Sequence, residues 1–368
     1  MTTFRPTVAE IDLDAVRHNA RAMKPDGAEL MAVVKADGYG HGAVEVARAA
    51  LAAGASWLGV ALVEEGTALR EAGIDAPVLL LSEPPPGSEK DALAAGLTPT
   101  VYSERGLAAV AEAGQALGRT AAVHMKVDTG MHRVGVHPAT EGPAFGRRVV
   151  ESGCELEGVW THLARAEEDE ASTRRQLSAF DDVVRRLAEE GIRPRLLHAA
   201  NSAGTLLYEE ASYDLVRVGI ALYGLDPGGG LAARAGLRPA LSLTSEVSAV
   251  RRIESGEAVS YGHRYRVEES RVVATVPVGY ADGYRRALSS RADVLIGGRR
   301  RRVAGTVTMD QILVDCDDDD VQVGEEVVLI GTQGQEEVTA DELAALCDTI
   351  GYEIVCGIGP RVPRRYAT

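Results

Sequence analysis

The feature that most constrains this chain is an alternation running through its first two thirds. Apolar, strand-like runs lie near residues 31–36, 57–62, 78–82, 98–102, 121–127, 156–162, 196–200 and 214–218. Between them sit segments rich in Ala, Glu and Arg with helical spacing, such as 44–53, 106–117 and 173–190. Strands separated by helices must pair in parallel, and eight such units joined by right-handed crossovers close most economically into a (β/α)8 barrel. A leading helix carries Leu13, Val16, Ala20 and Met23 at helical spacing and ends at Pro25-Asp26-Gly27. The fold class expected is therefore α/β, with residues 12–235 as a TIM-type barrel near the short end of the range such barrels use, about 200 residues and upward.

Past Gly228-Gly229-Gly230 the helical period fades, and stretches such as 241–243, 271–278 and 327–330 read as short strands between turns. Residues 236–368 are expected to form a second, mainly β domain. One amphipathic helix should interrupt it, with Thr339 and Glu342 in capping-box positions and an apolar face continuing through Leu343, Leu346 and Ile350. Two charge runs, Arg299 to Arg302 and Asp317 to Asp320, read as solvated turns between strands, because blocks of like charge favour exposure.

Composition excludes several classes. With 54 acidic against 39 basic residues and a net charge of −15, the chain is a poor partner for nucleic acid or an anionic membrane. Its mean hydropathy of −0.05 and 45% hydrophobic residues describe an ordinary globular protein. The four cysteines, Cys154, Cys316, Cys347 and Cys356, show neither a C-x-x-C pair nor metal-ligand spacing, so no metal site and a reducing cytoplasm are expected. The opening residues lack the apolar stretch of a signal peptide, and no apolar run is long enough to span a bilayer.

Active sites of such barrels gather where strands end, so the strand ends locate the chemistry. The first delivers Lys35 and a glycine-punctuated loop carrying Tyr39; the fifth leads to Asp128-Thr129-Gly130-Met131-His132-Arg133; the sixth ends Thr161-His162. The seventh ends His198-Ala199-Ala200-Asn201-Ser202 and the eighth Arg217-Val218-Gly219-Ile220. A lysine, two arginines, two histidines and a hydroxyl are thus expected at one mouth. A lysine closing a buried strand is paired, depressed in pKa or covalently engaged, unless it simply snorkels to water. Loops after the last two strands are the customary phosphate site of these barrels, and a phosphate beside a reactive lysine suggests pyridoxal phosphate.

The residues themselves then carry a family resemblance. Ala32-Val33-Val34-Lys35-Ala36-Asp37-Gly38-Tyr39-Gly40-His41-Gly42 resembles the cofactor-attachment signature of the alanine racemases, enzymes of the pyridoxal-phosphate barrel class. Further motifs match in order over nearly the full length: Lys126 to Arg133, Thr161-His162, Ala200-Asn201-Ser202, Arg217 to Ile220, Ser260-Tyr261-Gly262, Gly279-Tyr280-Ala281-Asp282-Gly283, Met309-Asp310 and Gly351-Tyr352-Glu353.

The resemblance implies two-base interconversion of L- and D-alanine, supplying D-alanine for peptidoglycan. Lys35 would hold the cofactor and serve as one base, with Tyr261 the other, because racemisation needs groups on opposite faces of the α-carbon. Both side chains ordinarily titrate near about 10, and the family has His162, linked to Arg217, tune the phenol. Arg217 would face the pyridine nitrogen; Tyr39, Ser202, Gly219, Ile220 and Tyr352 would hold the phosphate, with Asn201 nearby. Arg133 and a backbone group of Met309 would meet the substrate carboxylate. Lys126 matches a position often carbamylated in the family, although a lysine paired with an acid fits the sequence nearly as well. The family also implies a head-to-tail homodimer whose sites are shared, Tyr261 and Met309 coming from the partner, and an N-terminal segment, residues 1–11, that pairs with the β domain.

Departures from the family pattern are Thr308, where many relatives have cysteine, His132, where the residue is often small, and Leu163 in place of an aromatic. They leave open a serine or broad-specificity racemase of the same fold. A decarboxylase would not need the Tyr261 motif, and a barrel-only cofactor-binding protein would lack the last 130 or so residues.

Overall fold

The structure is a computed structural model and describes residues 4–368. Its barrel strands are β2 (Glu29–Val33), β3 (Trp57–Val60), β4 (Val78–Leu80), β5 (Thr100–Val101), β6 (Ala122–Lys126), β7 (Glu155–Trp160), β8 (Leu196–His198) and β9 (Leu215–Val218). All pair in parallel, in two arcs ordered β4-β3-β2-β9 and β5-β6-β7-β8. A bridge between Leu79 and Thr98 joins the arcs on one side. Backbone bonds from Asp214 N to Leu197 O (3.0 Å) and Arg217 N to Ala200 O (3.0 Å) join them on the other. The result is the TIM-type barrel that the alternation predicts.

Each strand in this barrel faces helices outside and side chains inside. Val123, Met125 and Val127 of β6 and its end pack outward with Phe145, Val149, Phe180 and Leu187 of the surrounding helices. His124 and Lys126, their alternates, therefore point inward. Pairing of β6 with β7 slips between Val123↔Leu156 and His124↔Gly158, leaving Glu157 as the extra residue of a bulge.

The second compact unit comprises the chain through Asp14, Tyr39–Gly42 and Pro239–Thr368, the barrel unit being Ala15–Gly38 and Ala43–Arg238. Its strands are β1 (Val8–Asp12), β10 (Leu241–Glu246), β11 (Ala249–Ile253), β12 (Ala258–Val259), β13 (Tyr265–Arg266), β14 (Arg271–Val276), β15 (Asp293–Ile296), β16 (Arg299–Arg302), β17 (Ile312–Asp315), β18 (Glu326–Gln333), β19 (Glu336–Val338) and β20 (Arg364–Ala367). The main sheet runs β16-β15-β18-β10-β1-β20, with β19 on β18; β11-β14-β17 and β12-β13 form two smaller sheets. Residues 1–3 of the expected N-terminal segment lie outside the described residues, while β1 pairs antiparallel with β10 and parallel with β20.

Two local expectations are corrected. The helix after Thr339 does begin as its capping residue requires, with the hydroxyl accepting from Glu342 N (3.0 Å). It stops at Leu346, however; Asp348 takes a φ of 55°, and a separate helix, Gly351–Cys356, follows with Ile350 as its exposed N-cap. The arginine run is likewise no turn. It forms β16, which carries Arg299 and Arg301 on one face, Arg301 buried and Arg299 exposed where the strand begins. Arg301 donates to Cys316 O (2.9 Å) and pairs with Asp319, and Arg299 also meets Asp319. The acidic run thus meets Arg299 and Arg301, while Arg300 pairs with Glu342 and Arg302 with Asp293, which makes a strand of four arginines tenable.

Arg301→Ala would take from Asp319 its buried guanidinium partner and from Cys316 O one of two donors, the other being Asp319 N (3.1 Å). The expected loss is about 1–3 kcal/mol in urea denaturation, whereas Arg299→Ala should leave the midpoint unmoved.

Candidate functional site

Lys35 follows β2 directly, and Val34 N still bonds Gly59 O (2.9 Å), so the strand is held to the residue before the lysine. The buried Tyr223 hydroxyl donates to Val33 O (3.0 Å) and fixes the same end from inside. The chain then winds backwards: Ala36, Asp37, Gly38 and Tyr39 have φ values of 52°, 52°, 60° and 52°, one turn of left-handed helix. Three of these are L-residues with a β-carbon, each disfavoured there by about 1–2 kcal/mol. Only Gly38 adopts this conformation without strain, and an added Cβ there would lie 3.2 Å from the Ala43 backbone. Polar contacts outside the turn hold it: Glu65 accepts from Ala36 N (2.6 Å), and Asp37 Oδ1 accepts from Ala43 N (2.9 Å). The same Glu65 carboxylate accepts from Ala61 N (2.8 Å) and Leu62 N (3.2 Å), tying the turn to the end of β3.

Inside the barrel the anticipated cations converge. Lys126 is 3% exposed, and burial, with Arg133, Arg217 and Lys35 adding repulsion against Asp128, pulls its amine down to about 7. It makes no ion pair among the described residues; instead its Nζ lies 4.3 Å from the Trp160 ring centre, and the Arg217 guanidinium lies 4.7 Å from the same ring. Arg217 is fully buried, which lowers it to about 9 and leaves it charged at neutrality. Its Nη2 donates to Thr161 O (2.7 Å), Ala199 O (2.9 Å) and His162 Nδ1 (3.2 Å), and its Nη1 to His198 Nδ1 (3.2 Å). None of these uses Nε. Burial and the surrounding cations, Arg217 foremost among them, hold His162 neutral, well below the usual imidazole range.

The loop after β6 is shaped by Asp128, whose Oδ1 accepts from the N–H groups of Gly130 (3.1 Å), Met131 (3.0 Å) and His132 (2.9 Å). This turn leads into the exposed Arg133. After β8 and β9, Ser202 Oγ accepts from Gly219 N (3.1 Å) and Ala221 N (3.3 Å), drawing the two anticipated phosphate loops into one cradle beside buried Ile220. Asn201 serves the scaffold: Oδ1 accepts from Gly204 N (2.9 Å) as the N-cap of the next helix, and Nδ2 donates to Leu163 O (3.3 Å).

Four anticipated residues belong to the β unit. Tyr39 and Tyr352 place their rings 6.2 Å apart, tilted by 55°, and burial, with Tyr352 and Cys356 adding, pushes the Tyr39 phenol up. Tyr261 is 73% exposed and sits at a cavity of about 400 Å³ lined also by Ser260, Thr308 and Gln311. Met309, half exposed, is clamped through its backbone: Tyr280 N donates to Thr308 O and Ala281 N to Met309 O, both at 3.0 Å. A Cβ on Gly279 would fall 2.4 Å from both carbonyls. Asp282 fixes this clamp, accepting from Gly279 N (2.9 Å) and both Nη atoms of Arg5 (2.7 and 2.9 Å), and Arg361 bridges it to Asp310 (3.3 and 2.7 Å). The Gly279-Tyr280-Ala281-Asp282-Gly283 motif is thus a brace for the Met309 turn.

Sequence reasoning missed Glu65, Trp160 and Gln176, whose amide accepts from Ala164 N (2.9 Å) and donates to Thr129 Oγ1 (3.2 Å) and His162 O (3.1 Å). For Trp160 a signal existed, since an aromatic two residues before a strand-end histidine shares its inward face. Glu65 and Gln176 lie on helices and carried none.

These features define a barrel protein whose strand ends concentrate positive charge, joined in one chain to a β unit with its own exposed tyrosine. Family models for the alanine racemase N-terminal domain and C-terminal domain match residues 11–227 and 240–366. An alanine racemase of Symbiobacterium thermophilum is 53% identical over 99% of this chain and 97% of its own length. One from Frankia casuarinae is 46% identical over 97% and 95%. Among solved structures, the alanine racemase of D-cycloserine-producing Streptomyces lavendulae superposes with a TM-score of 0.94 at 42% identity, over 100% of this chain and 98% of that one. The Bacillus anthracis alanine racemase with bound L-Ala-P gives 0.93 at 36% identity, over 100% and 96%. The chain belongs to the alanine racemase family.

The left-handed turn has a direct test in stability. Ala36→Gly should stabilise the protein by about 0.5–1 kcal/mol, opposite in sign to an alanine-to-glycine change in a right-handed helix, as read from urea midpoints.

Proposed function

We propose that this chain is a pyridoxal-phosphate-dependent enzyme that interconverts L- and D-alanine in the cytoplasm, providing D-alanine for peptidoglycan. The observation that carries the reading is the barrel's fit to an anionic, ring-bearing cofactor. Lys126 is repelled by Arg133, Arg217 and Lys35 and attracted by Asp128, so an added phosphate and carboxylate would relieve repulsion. The Ser202, Gly219 and Ile220 cradle supplies phosphate contacts, and Arg217 keeps Nε–H available for a ring nitrogen while its other donors are engaged. An arginine there keeps that nitrogen unprotonated. When bound, the cofactor supplies an electron sink for the α-carbon.

The protein's own groups do the rest. Lys35 Nζ attaches the cofactor and handles the α-proton on one face; Tyr261 Oη handles it on the other. Arg133 and the braced backbone of Met309 hold the substrate carboxylate. Exposure of Tyr261 and Met309 supports a homodimer in which each chain lends both residues to the other's barrel. Lys126 is a carbamate in the working enzyme: its neutral amine adds CO2 and releases a proton, giving an anion that faces Arg133 in place of a fourth cation. The amine's value of about 7 favours this at and above neutrality.

Three outcomes test the reading. Borohydride should fix the cofactor to the parent chain but not to Lys35→Ala. Lys35→Ala and Tyr261→Phe, each inactive alone on L-alanine, should regain activity when mixed and allowed to exchange subunits; no recovery after verified exchange rejects shared sites. A panel of other L-amino acids, serine first, should run well behind alanine. For Lys126, 13C-bicarbonate should give a carbamate carbon signal that grows as pH rises through about 7 and fades below it, where the amine is protonated. Lys126→Met should lack the signal at every pH.

A further inference from the structure

Arg217 is the end of a longer chain of contacts that no role so far described uses. Its Nη1 meets His198 Nδ1 at 3.2 Å, His198 Nε2 meets His124 Nδ1 at 2.9 Å, and His124 Nε2 faces Glu157 Oε2 at 3.6 Å. Glu157 in turn accepts from Arg195 Nη2 (2.7 Å) at the surface. Both imidazoles are completely buried, whereas the Glu157 side chain is 16% exposed.

Proton positions along this chain follow from one fact: a guanidinium only donates. His198 Nδ1 must therefore accept, which places the His198 proton on Nε2. That N–H donates to His124 Nδ1, which must also accept, so His124 carries its proton on Nε2, facing the Glu157 carboxylate across 3.6 Å, an electrostatic contact rather than a direct hydrogen bond. A doubly protonated His124 would oppose two N–H groups at one contact. Burial, the leading cause, lowers both imidazoles and keeps them neutral. The His124 contact, with Arg195 helping, holds the Glu157 carboxyl below its ordinary value. Every dipole in the row points its negative end toward Arg217, and a full negative charge closes the far end.

Two features of the backbone are built around this row. Glu157 is the extra residue of the β6–β7 bulge, and bulges re-aim a side chain that strict alternation would send elsewhere. Because of the bulge, Gly158 stands opposite His124, and a Cβ on Gly158 would fall 2.6 Å from the imidazole. His198 stacks on Trp160 at an interplanar angle of 9°, the ring that also faces Lys126 and Arg217. A surface ion pair between Glu157 and Arg195 would need none of this.

We propose that Glu157 is a positioning residue for the reaction: through His124 and His198 it fixes the orientation and charge of Arg217 from the far side of the barrel. The proposal rests on the reading that Arg217 faces the cofactor ring. Without the carboxylate, the two imidazoles lose the partner that makes a single proton arrangement best, and Arg217 loses a rigid acceptor for Nη1.

The test uses the full-length protein labelled with [15N]histidine, recorded with and without added pyridoxal phosphate. Long-range 15N–1H spectra should show His124 and His198 as neutral Nε2–H tautomers. Glu157→Gln should shift the nitrogen signals of both rings, including His198, which Glu157 does not touch, and lower kcat by about tenfold with little change in KM. Glu157→Asp, which keeps the charge, should restore the parent tautomers and most of the rate, and Arg195→Gln should behave as the parent. A doubly protonated or Nδ1–H His124 overturns the proposal. So do unmoved His198 signals with parental kcat in Glu157→Gln, a Glu157→Asp variant no better than Glu157→Gln, or an equal loss in Arg195→Gln. Because the tautomers are read without cofactor as well, a parent chain that fails to racemise alanine would reject the functional reading while leaving the relay to be judged separately.

Discussion

A permanent positive charge buried in the centre of a barrel is the constraint on which the site depends. Moving a guanidinium out of water costs several kcal/mol unless its donors are satisfied. Arg217 meets that demand with two carbonyl oxygens, Thr161 O and Ala199 O, and two imidazole nitrogens on His162 and His198. Those acceptors come from the ends of β7 and β8. The strand ends are thus bound to one planar group, and the geometry of the mouth is set by its plane. Trp160 covers one side of that plane, so the cation is shielded without a neighbouring carboxylate that would pull Nε away from a ligand.

The lysine strand is held by a different means. Its turn is kept in a left-handed conformation by groups outside it, the Glu65 carboxylate and the Ala43 N–H that Asp37 accepts from, so local strain near Lys35 is offset by hydrogen bonds anchored at the end of β3 and in the following helix. A turn held in this way has few alternative conformations, which fits the role proposed for Lys35.

Much of this was legible in the sequence because it is periodic or local. All eight barrel strands coincide with apolar runs, and the strand-end residues Lys35, Lys126, His162, Ser202 and Arg217 follow from where those runs stop. What escaped were features set by pairing between distant segments. Arg301 is buried because β16 is a strand whose charges meet Asp319 eighteen residues later, whereas a run of like charge read alone suggests solvent. The left-handed turn depends on Glu65, and nothing between Lys35 and Tyr39 reveals it. The helix through Ile350 broke at Asp348 although its apolar spacing continued. The β6–β7 bulge leaves no mark in either strand's composition, so Glu157 reads as an ordinary polar alternate.

The contact between Gly158 and the His124 ring has a consequence for how such a chain can change over generations. A side chain at position 158 cannot be accepted while the imidazole occupies that space. Loss of the histidine, by contrast, opens room that several residues at 158 could fill. Substitutions at these two positions are therefore ordered in time: the ring must go first, and once position 158 has grown a side chain the path back is closed until that is lost again. Lineages that keep histidine at 124 should keep glycine at 158, while those that gave up the histidine should vary at both.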